Sequence, residues 1–207
     1  MYFANFFKHL KKVLIHKIYV AHYCFMCRLY LQGLLHDMSK FSFTEFFESV
    51  KYYQGNISPI DACKKDKGYS LAWFHHRGRN KHHWEYWVDD FQDGMVPKKM
   101  PFKYALEMVC DYLGAGKAYS GKKFTIQQEW AWWQTKRGLA VMHPDTFAFA
   151  DFMFNEMNEK GIKNVLGNRK VMKEIKAFYS MTPEQRKERD VHLKNTLKSE
   201  LGIDLDG

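Results

Sequence analysis

The chain has 207 residues, of which 46% are hydrophobic and 17% aromatic, so it is long enough to bury one core and too apolar for a disordered protein. Its formal net charge of +9 favours anionic partners such as nucleotides, other phosphorylated metabolites or nucleic acid. No window approaches the roughly 20 apolar residues of a membrane span, and the N-terminus lacks a secretory pattern, so we expect a cytoplasmic protein.

Apolar residues recur at helical spacing along most of the chain, whereas strand patterns are scarce. The first half is predicted to hold one long helix over residues 3–31, after which Gly33 loosens the chain. Ser42 and Thr44 are capping residues that predict a short helix ending near residue 53. Ser58-Pro59 predicts a further helix that continues to residue 76, and a shorter helical piece is expected over residues 82–87.

In the second half, a loop is expected over Asp93-Gly94 and residues 97–101. Helices are predicted over residues 101–121, after the capping residue Thr125, and over residues 143–161. The remainder is more polar and predicts a helix over 164–179 and a charged helix over 182–201. The sequence therefore predicts an all-α fold: one compact helical bundle over residues 1–161 with an appended polar helical pair over 162–207.

The four cysteines are expected to be core thiols. Cys24 and Cys27 have the spacing of a zinc or redox pair, but no second pair matches them and they lie in an apolar helical stretch. Cys63 and Cys110 stand alone. In a reducing compartment, free thiols are the expected state of all four.

Histidines and aspartates form the pattern that carries chemistry. His16 lies in the middle of the first predicted helix, and His36-Asp37 follows an apolar run. Asp111 lies in an apolar helix, on a face shared with Glu107 and with small residues that let a ligand or a helix approach. A buried carboxylate needs a partner, which is either a metal ion or a basic side chain of the core.

Two histidine doublets, His75-His76 and His82-His83, are seven residues apart. Seven residues are close to two helical turns, so equivalent members of the two doublets would share a face if the helix continued through Gly78. Adjacent residues on a helix point in different directions, so we expect at most one ligand from each doublet. The alternative is that the doublets are solvent-exposed.

Imidazoles combined with carboxylates suit one or two divalent transition-metal ions, namely manganese, iron, zinc, nickel or cobalt. Such ions bind phosphate oxygens and activate water. The basic and aromatic residues near the pattern are then candidates for contacting an anionic substrate. These candidates are Lys40, Arg77, Arg79, Trp84 and Lys117.

The order His16, His36-Asp37, the doublets and Asp111 resembles the HD superfamily of metal-dependent phosphohydrolases, and the segment Leu-His-Asp-Met-Ser-Lys over 35–40 is similar to its signature. The resemblance implies an all-helical fold and metal ligands at His16, His36, Asp37 and Asp111, with His22 as an alternative to His16. It also implies that a second metal would use the doublets.

The chain further resembles an uncharacterised family of bacterial and phage proteins, domain of unknown function 5662, over about residues 10–155. The similar stretches are 33–42, 72–87 and 104–118. That resemblance implies no activity.

We therefore expect a metal-dependent phosphohydrolase, a phosphomonoesterase or phosphodiesterase, acting on a nucleotide or a related phosphorylated small molecule. Asp37, Lys40, His82 and His83 are the expected catalytic residues, and all four doublet histidines are candidate metal ligands together with the quartet above. Two alternatives are an HD-fold di-iron oxygenase and a non-enzymatic protein that binds nucleic acid or another ligand. The sequence predicts neither the substrate nor the oligomeric state.

Overall fold

A computed structural model describes residues 2–92, 94–182, 184–185 and 188. In this part of the chain the structure is almost entirely helical, with one short antiparallel hairpin, which confirms the all-α prediction. The helices are α1 (Tyr2–Met26), α2 (Tyr30–Leu35), α3 (Phe43–Lys51), α4 (Pro59–Lys67), α5 (Leu71–Arg77), α6 (Phe102–Ser120), α7 (Ile126–Lys136), α8 (Pro144–Lys160), α9 (Ile162–Leu166) and α10 (Arg169–Ser180). The hairpin strands are β1 (Val88–Phe91) and β2 (Gly94–Pro97).

The two long helices α1 and α6 pack together at the centre of the fold. Leu106, Val109 and Leu113 of α6 are buried, as expected for its apolar faces. Gly114 makes the close approach of the helices possible, because a Cβ atom there would lie 2.4 Å from the Cγ2 atom of Val20. This contact brings the polar face of α6, with Glu107 and Asp111, against α1.

The second half of the chain completes one hydrophobic core around Trp133 and Phe154. The last two described helices belong to the same core, because Leu166 of α9 and Ile175 of α10 are buried in it. The Tyr179 hydroxyl also donates a hydrogen bond to the Met100 carbonyl oxygen at 2.5 Å. The polar C-terminal segment is therefore docked on the bundle as far as it is described.

Several predicted helix boundaries are confirmed, and the local capping signals explain why. Ser42 and Thr125 each accept a hydrogen bond from a backbone N–H three residues ahead, at the starts of α3 and α7. Thr44 lies inside α3 and is not its cap. α6 ends just before Gly121, and α8 starts at Pro144 and ends just before Gly161, as predicted.

Other boundaries were predicted wrongly. The first helix ends at Met26 rather than at residue 31, because Arg28 takes a positive φ of 63° and turns the chain into α2. The helix predicted over 58–76 is two helices, α4 and α5. Gly68 ends α4, because its φ of 78° lies in the left-handed region. Residues 82 and 83 precede a short 3₁₀ helix at Trp84–Trp87 and are not helical. The helix predicted over 164–179 is divided at Gly167.

The loop predicted after residue 93 was also wrong in part. Val88 pairs with Pro97 and Phe91 pairs with Gly94 in the antiparallel hairpin. Gly94 and Pro97, which were expected in loops, are therefore the two end residues of β2. The charged helix predicted over 182–201 lies almost wholly outside the described residues.

The prediction of core thiols is confirmed. Cys24, Cys63 and Cys110 are buried, Cys27 is half-buried, and all four are free thiols. No helix among the described residues is both long enough and apolar enough to cross a membrane.

Candidate metal centre

The turn after α2 directs two consecutive side chains into the bundle. His36 has an extended backbone, with φ −50° and ψ 131°, and Asp37 follows in the left-handed region at φ 54°. A left-handed aspartate costs on the order of 1 kcal/mol and is retained where the surroundings demand it. Both residues are 1% exposed, so the turn places both of their side chains in the interior.

His16, His36, Asp37 and Asp111 form a first group of ligand atoms that lie within 4.8 Å of one another. The Nε2 atom of His16 lies 3.1 Å from both Asp37 Oδ2 and Asp111 Oδ1. The Nε2 atom of His36 lies 3.2 and 3.3 Å from the same two oxygens. His22 is exposed and outside this group, so the structure places His16 at the centre.

Asp37, His76, His82 and His83 form a second group within the same 4.8 Å limit. The Nε2 atoms of His76 and His82 each lie 3.3 Å from Asp37 Oδ1. We expected at most one ligand from each doublet, but His82 and His83 lie in a turn and both belong to this group of potential ligands. Asp37 belongs to both groups, with a different oxygen directed to each.

His75 points away from both groups. Its Nδ1 atom lies 2.5 Å from Glu45 Oε1, and the other oxygen of that carboxylate lies 2.7 Å from His76 Nδ1. Among the described residues, His75 contributes no atom to a cluster of potential ligands. It supports the carboxylate that orients His76.

Two buried glutamates hold the outer nitrogens of the inner histidines. Glu107 Oε1 lies 3.0 Å from His36 Nδ1 and 3.2 Å from His82 Nδ1. Glu45 does the same for His76. A carboxylate on Nδ1 fixes the imidazole tautomer and leaves Nε2 free to bind a metal. All three histidines therefore present Nε2 toward Asp37.

Several buried nitrogen and oxygen atoms of the two groups lack a hydrogen-bond partner among the described residues, as expected for atoms that bind a metal ion. His36 Nε2, Asp37 Oδ1, His82 Nε2 and His83 Nε2 are buried, and none has a hydrogen-bond partner within the described structure. The 3.3 Å contact between His82 Nε2 and Asp37 Oδ1 therefore lacks hydrogen-bond geometry. Ligands about 2.1 Å from a shared ion lie roughly 3 to 4 Å apart, which matches this spacing.

The buried charges influence one another strongly. Burial alone would lower the pKa of His36, but Asp37 and the neighbouring carboxylates raise that pKa well above its usual value. Burial would raise the pKa of Asp37, yet His36 and Lys40 hold it well below its usual range. The pKa of His83 is lowered by burial and by the adjacent imidazoles, so this ring is neutral and keeps a lone pair.

A cavity of about 710 Å³ opens beside the two groups. His16, His76, His83 and Asp111 form part of its wall, while His36, Asp37 and His82 lie behind them. This volume is within the range of roughly 300–1,000 Å³ for pockets that bind small molecules. Aromatic residues also line it: Trp73, Tyr112, Tyr119 and Trp132.

Of the five predicted substrate residues, Lys40 alone belongs to the described lining of the cavity. Its ammonium nitrogen lies 2.5 Å from Asp37 Oδ2. Arg77 and Lys117 each lie over a phenylalanine ring, Arg79 is exposed, and Trp84 packs against the core. The structure thus brings Lys40 to the centre and leaves the other four outside the cavity.

Glu45 and Glu129 are site residues that the sequence reasoning missed. Glu45 follows the cap Ser42 by three residues, a position that a capping glutamate commonly occupies. The sequence therefore offered no reason to expect its side chain to contact the histidines. Glu129 is 7% exposed and lines the cavity. A Cβ atom on Gly116 would lie 1.8 Å from Glu129 Oε2, so the glycine provides the space for this carboxyl group.

Glu129 leads to a prediction about pH and stability. Burial and the nearby Asp111 raise its pKa from 4.5 to about 7. The metal-free folded protein therefore keeps a proton that the unfolded chain loses between these values, and stability falls as pH rises through this window. The loss is up to about 3 kcal/mol by pH 8. In Glu129→Gln this part of the pH dependence should disappear.

Urea denaturation in a chelator at pH 5 and pH 8 measures this difference. Glu174→Gln, at an exposed position of α10, is the matched control and should behave like the wild type. If the wild type and Glu129→Gln lose the same free energy of unfolding between the two pH values, Glu129 is not protonated in the folded protein.

Comparison with known proteins identifies a family whose function is unknown. The sequence profile of a family of unknown function (DUF5662) matches residues 5–156, which include every member of both ligand groups. No curated protein and no solved structure matches the chain.

Proposed function

The chain belongs to the family of unknown function DUF5662, and we propose that it is a metal-dependent phosphohydrolase acting on a nucleotide or a related phosphorylated small molecule. The observation that carries the proposal is the pair of ligand groups joined by Asp37, beside a cavity. The resemblance of the ligand order to HD phosphohydrolases adds support.

One or two ions of manganese, iron, zinc, nickel or cobalt suit this set of imidazoles and carboxylates. His16, His36, Asp37 and Asp111 would hold the first ion, and Asp37 with His76, His82 and His83 would hold the second. A divalent ion bound there would polarise a phosphate and lower the pKa of a bound water.

The chain's own residues supply orientation and charge. Glu45 and Glu107 hold three imidazoles by their outer nitrogens, so the ligand atoms are positioned before a metal binds. Lys40 lies at the boundary between Asp37 and the cavity, where its ammonium group can pair with a phosphate oxygen. The attraction of Asp37 outweighs burial and raises the pKa of Lys40, so the amine stays charged.

The cavity supports a substrate larger than inorganic phosphate. Trp73 packs edge-on against the His83 ring at 5.1 Å, so an aromatic surface begins next to the second ligand group. Trp132 and Tyr112 form another aromatic pair along the wall, with their ring centres 5.2 Å apart. Aromatic faces of this kind stack on nucleobases.

The test is a screen of nucleoside mono-, di- and triphosphates, cyclic nucleotides and sugar phosphates. The protein is first purified without a histidine tag and then loaded separately with each of the five metals. Release of phosphate, of a nucleoside or, from a cyclic nucleotide, of a nucleoside monophosphate is expected with at least one metal. Protein that binds no metal and hydrolyses nothing would contradict the proposal and favour a non-enzymatic ligand-binding protein.

A di-iron oxygenase is a second candidate, because Asp37 joins two histidine-rich groups by different oxygens. This candidate predicts two irons per chain and a mixed-valence signal in electron paramagnetic resonance after partial reduction. Hydrolytic turnover with zinc or manganese, which do not pass through these iron states, would exclude the oxygenase reading.

The doublets provide a prediction with a matched control. The double substitution His82→Ala/His83→Ala removes two ligands of the second group and none of the first. Metal content is expected to fall toward one ion per chain, and turnover to fall about 100-fold. His75→Ala removes a histidine that offers no ligand atom, so it should keep both ions.

Elemental analysis and turnover on the best substrate from the screen measure both effects. Two ions in the double variant would exclude the second group. Loss of an ion in His75→Ala would mean that His75, which is expected to offer no ligand atom, helps to hold that ion.

A further inference from the structure

Large apolar side chains remain exposed along one side of α1. Phe3, Phe7, Leu14, Ile18 and Phe25 are between 40% and 76% exposed. Residues 3, 14 and 25 are eleven positions apart, and so are residues 7 and 18. Eleven residues are close to three helical turns, so these side chains form a straight stripe along the helix, roughly 33 Å long.

α2 and the turn after it extend this stripe into a broader surface. Leu31, Leu34, Leu35 and Met38 are between 52% and 64% exposed. The Lys17 ammonium group donates a hydrogen bond to the Leu34 carbonyl oxygen at 2.8 Å, which holds α2 beside the middle of the stripe. We name these nine apolar residues of α1, α2 and the turn the α1–α2 face.

The area of the α1–α2 face is too large for an ordinary monomer surface. Nine large side chains that are about half exposed leave on the order of 900 Å² of apolar surface. The largest apolar patch of a typical monomer is roughly 300–600 Å², and a standard protein interface buries about 800 Å² on each partner. The face has the size of one half of a stable interface.

We propose that the α1–α2 face is a homodimer interface in which the face of one chain packs against the same face of a second copy. A straight apolar stripe on a long helix is well suited to a twofold interface, because each copy then offers the other an identical ridge. The area available on each copy is what such a dimer needs. This inference is independent of the proposed enzymatic function.

An anionic membrane surface is the competing occupant, because the exposed lysines Lys8 and Lys11 border the stripe. The two occupants differ in a measurable way. A dimer interface covers the face in water without lipid, whereas a membrane-docking face would leave the protein monomeric until vesicles are added.

Sedimentation equilibrium from 1 to 100 µM tests the proposal. We expect the wild type to have twice the chain mass. Ile18→Glu/Leu34→Glu should weaken association by about 100-fold or more, because a dimer would bury unpaired carboxylates. Leu139→Glu is the matched control: Leu139 is 75% exposed and lies outside the face, so this variant should remain a dimer.

Circular dichroism establishes that each variant is folded, and the milder Ile18→Gln replaces the double variant if that one is not. A wild type that is monomeric at 100 µM would overturn the proposal, and so would a folded double variant that dimerises as tightly as the control. A monomer that co-sediments with vesicles containing phosphatidylserine would assign the face to a membrane surface instead.

Discussion

Asp37→Ala is expected to remove both metal ions and to lower turnover by about 1000-fold or more. Asp37 is the one described residue shared by the two groups of four, and its two oxygens are directed to different groups. Without Asp37, each group would keep at most three ligands, and no carboxylate would join the two groups. By contrast, His16→Ala would remove a ligand from the first group alone.

Metal content per chain and turnover with the best substrate are the two measurements. Asp61→Ala is the control, because Asp61 lines the same cavity but belongs to neither ligand group. This control should keep its metal and stay within about tenfold of wild-type turnover. Full metal content in a folded Asp37→Ala protein would show that Asp37 is not a ligand.

Trp133→Ala is expected to lower the free energy of unfolding by about 3–5 kcal/mol. Trp133 is 1% exposed, and its ring stacks on Phe154 with ring centres 5.2 Å apart. Its indole N–H donates a hydrogen bond to Asp151 Oδ1 at 3.0 Å. The substitution therefore leaves a cavity where α7 and α8 meet, and it removes one of the two described partners of Asp151 Oδ1, the other being Arg137 Nη1 at 3.1 Å.

Trp132→Ala is the matched control, since the adjacent tryptophan is 38% exposed and faces the cavity. It should cost clearly less, about 2 kcal/mol or below, because more than a third of the residue is exposed and its ring faces the cavity. Urea denaturation of both variants measures the difference. Equal losses for the two substitutions would mean that Trp133 does not form the centre of this core.

Local chemistry explains which helix ends could be predicted. Ser42, Thr125 and Pro144 act within one turn of their own backbone, so their effect is visible in the sequence. The break at Arg28 has no such local signal, because the left-handed conformation at a helix end is favoured by glycine and here an arginine takes it. The sequence therefore predicted an all-helical chain and left several helix boundaries wrong.

The ligand positions show the same division. His36, Asp37 and Asp111 could be selected from the sequence because polar residues in apolar segments require partners. The roles of Glu45 and His75 could not, because their hydrogen bond joins α3 to α5 across thirty residues of sequence. Whether both histidines of a doublet point inward depends on the turn before Trp84, which helical periodicity does not describe.

The sequence by itself determined that the chain is helical and which histidines and aspartates need a partner, because both follow from hydrophobic periodicity and from the cost of isolated buried charge. Tertiary structure alone decided that these residues form two groups joined through Asp37, and that four of the five predicted substrate residues lie outside the cavity. The reason is physical: convergence of ligands depends on how α1, α5 and α6 pack, and packing is a property of the assembled bundle.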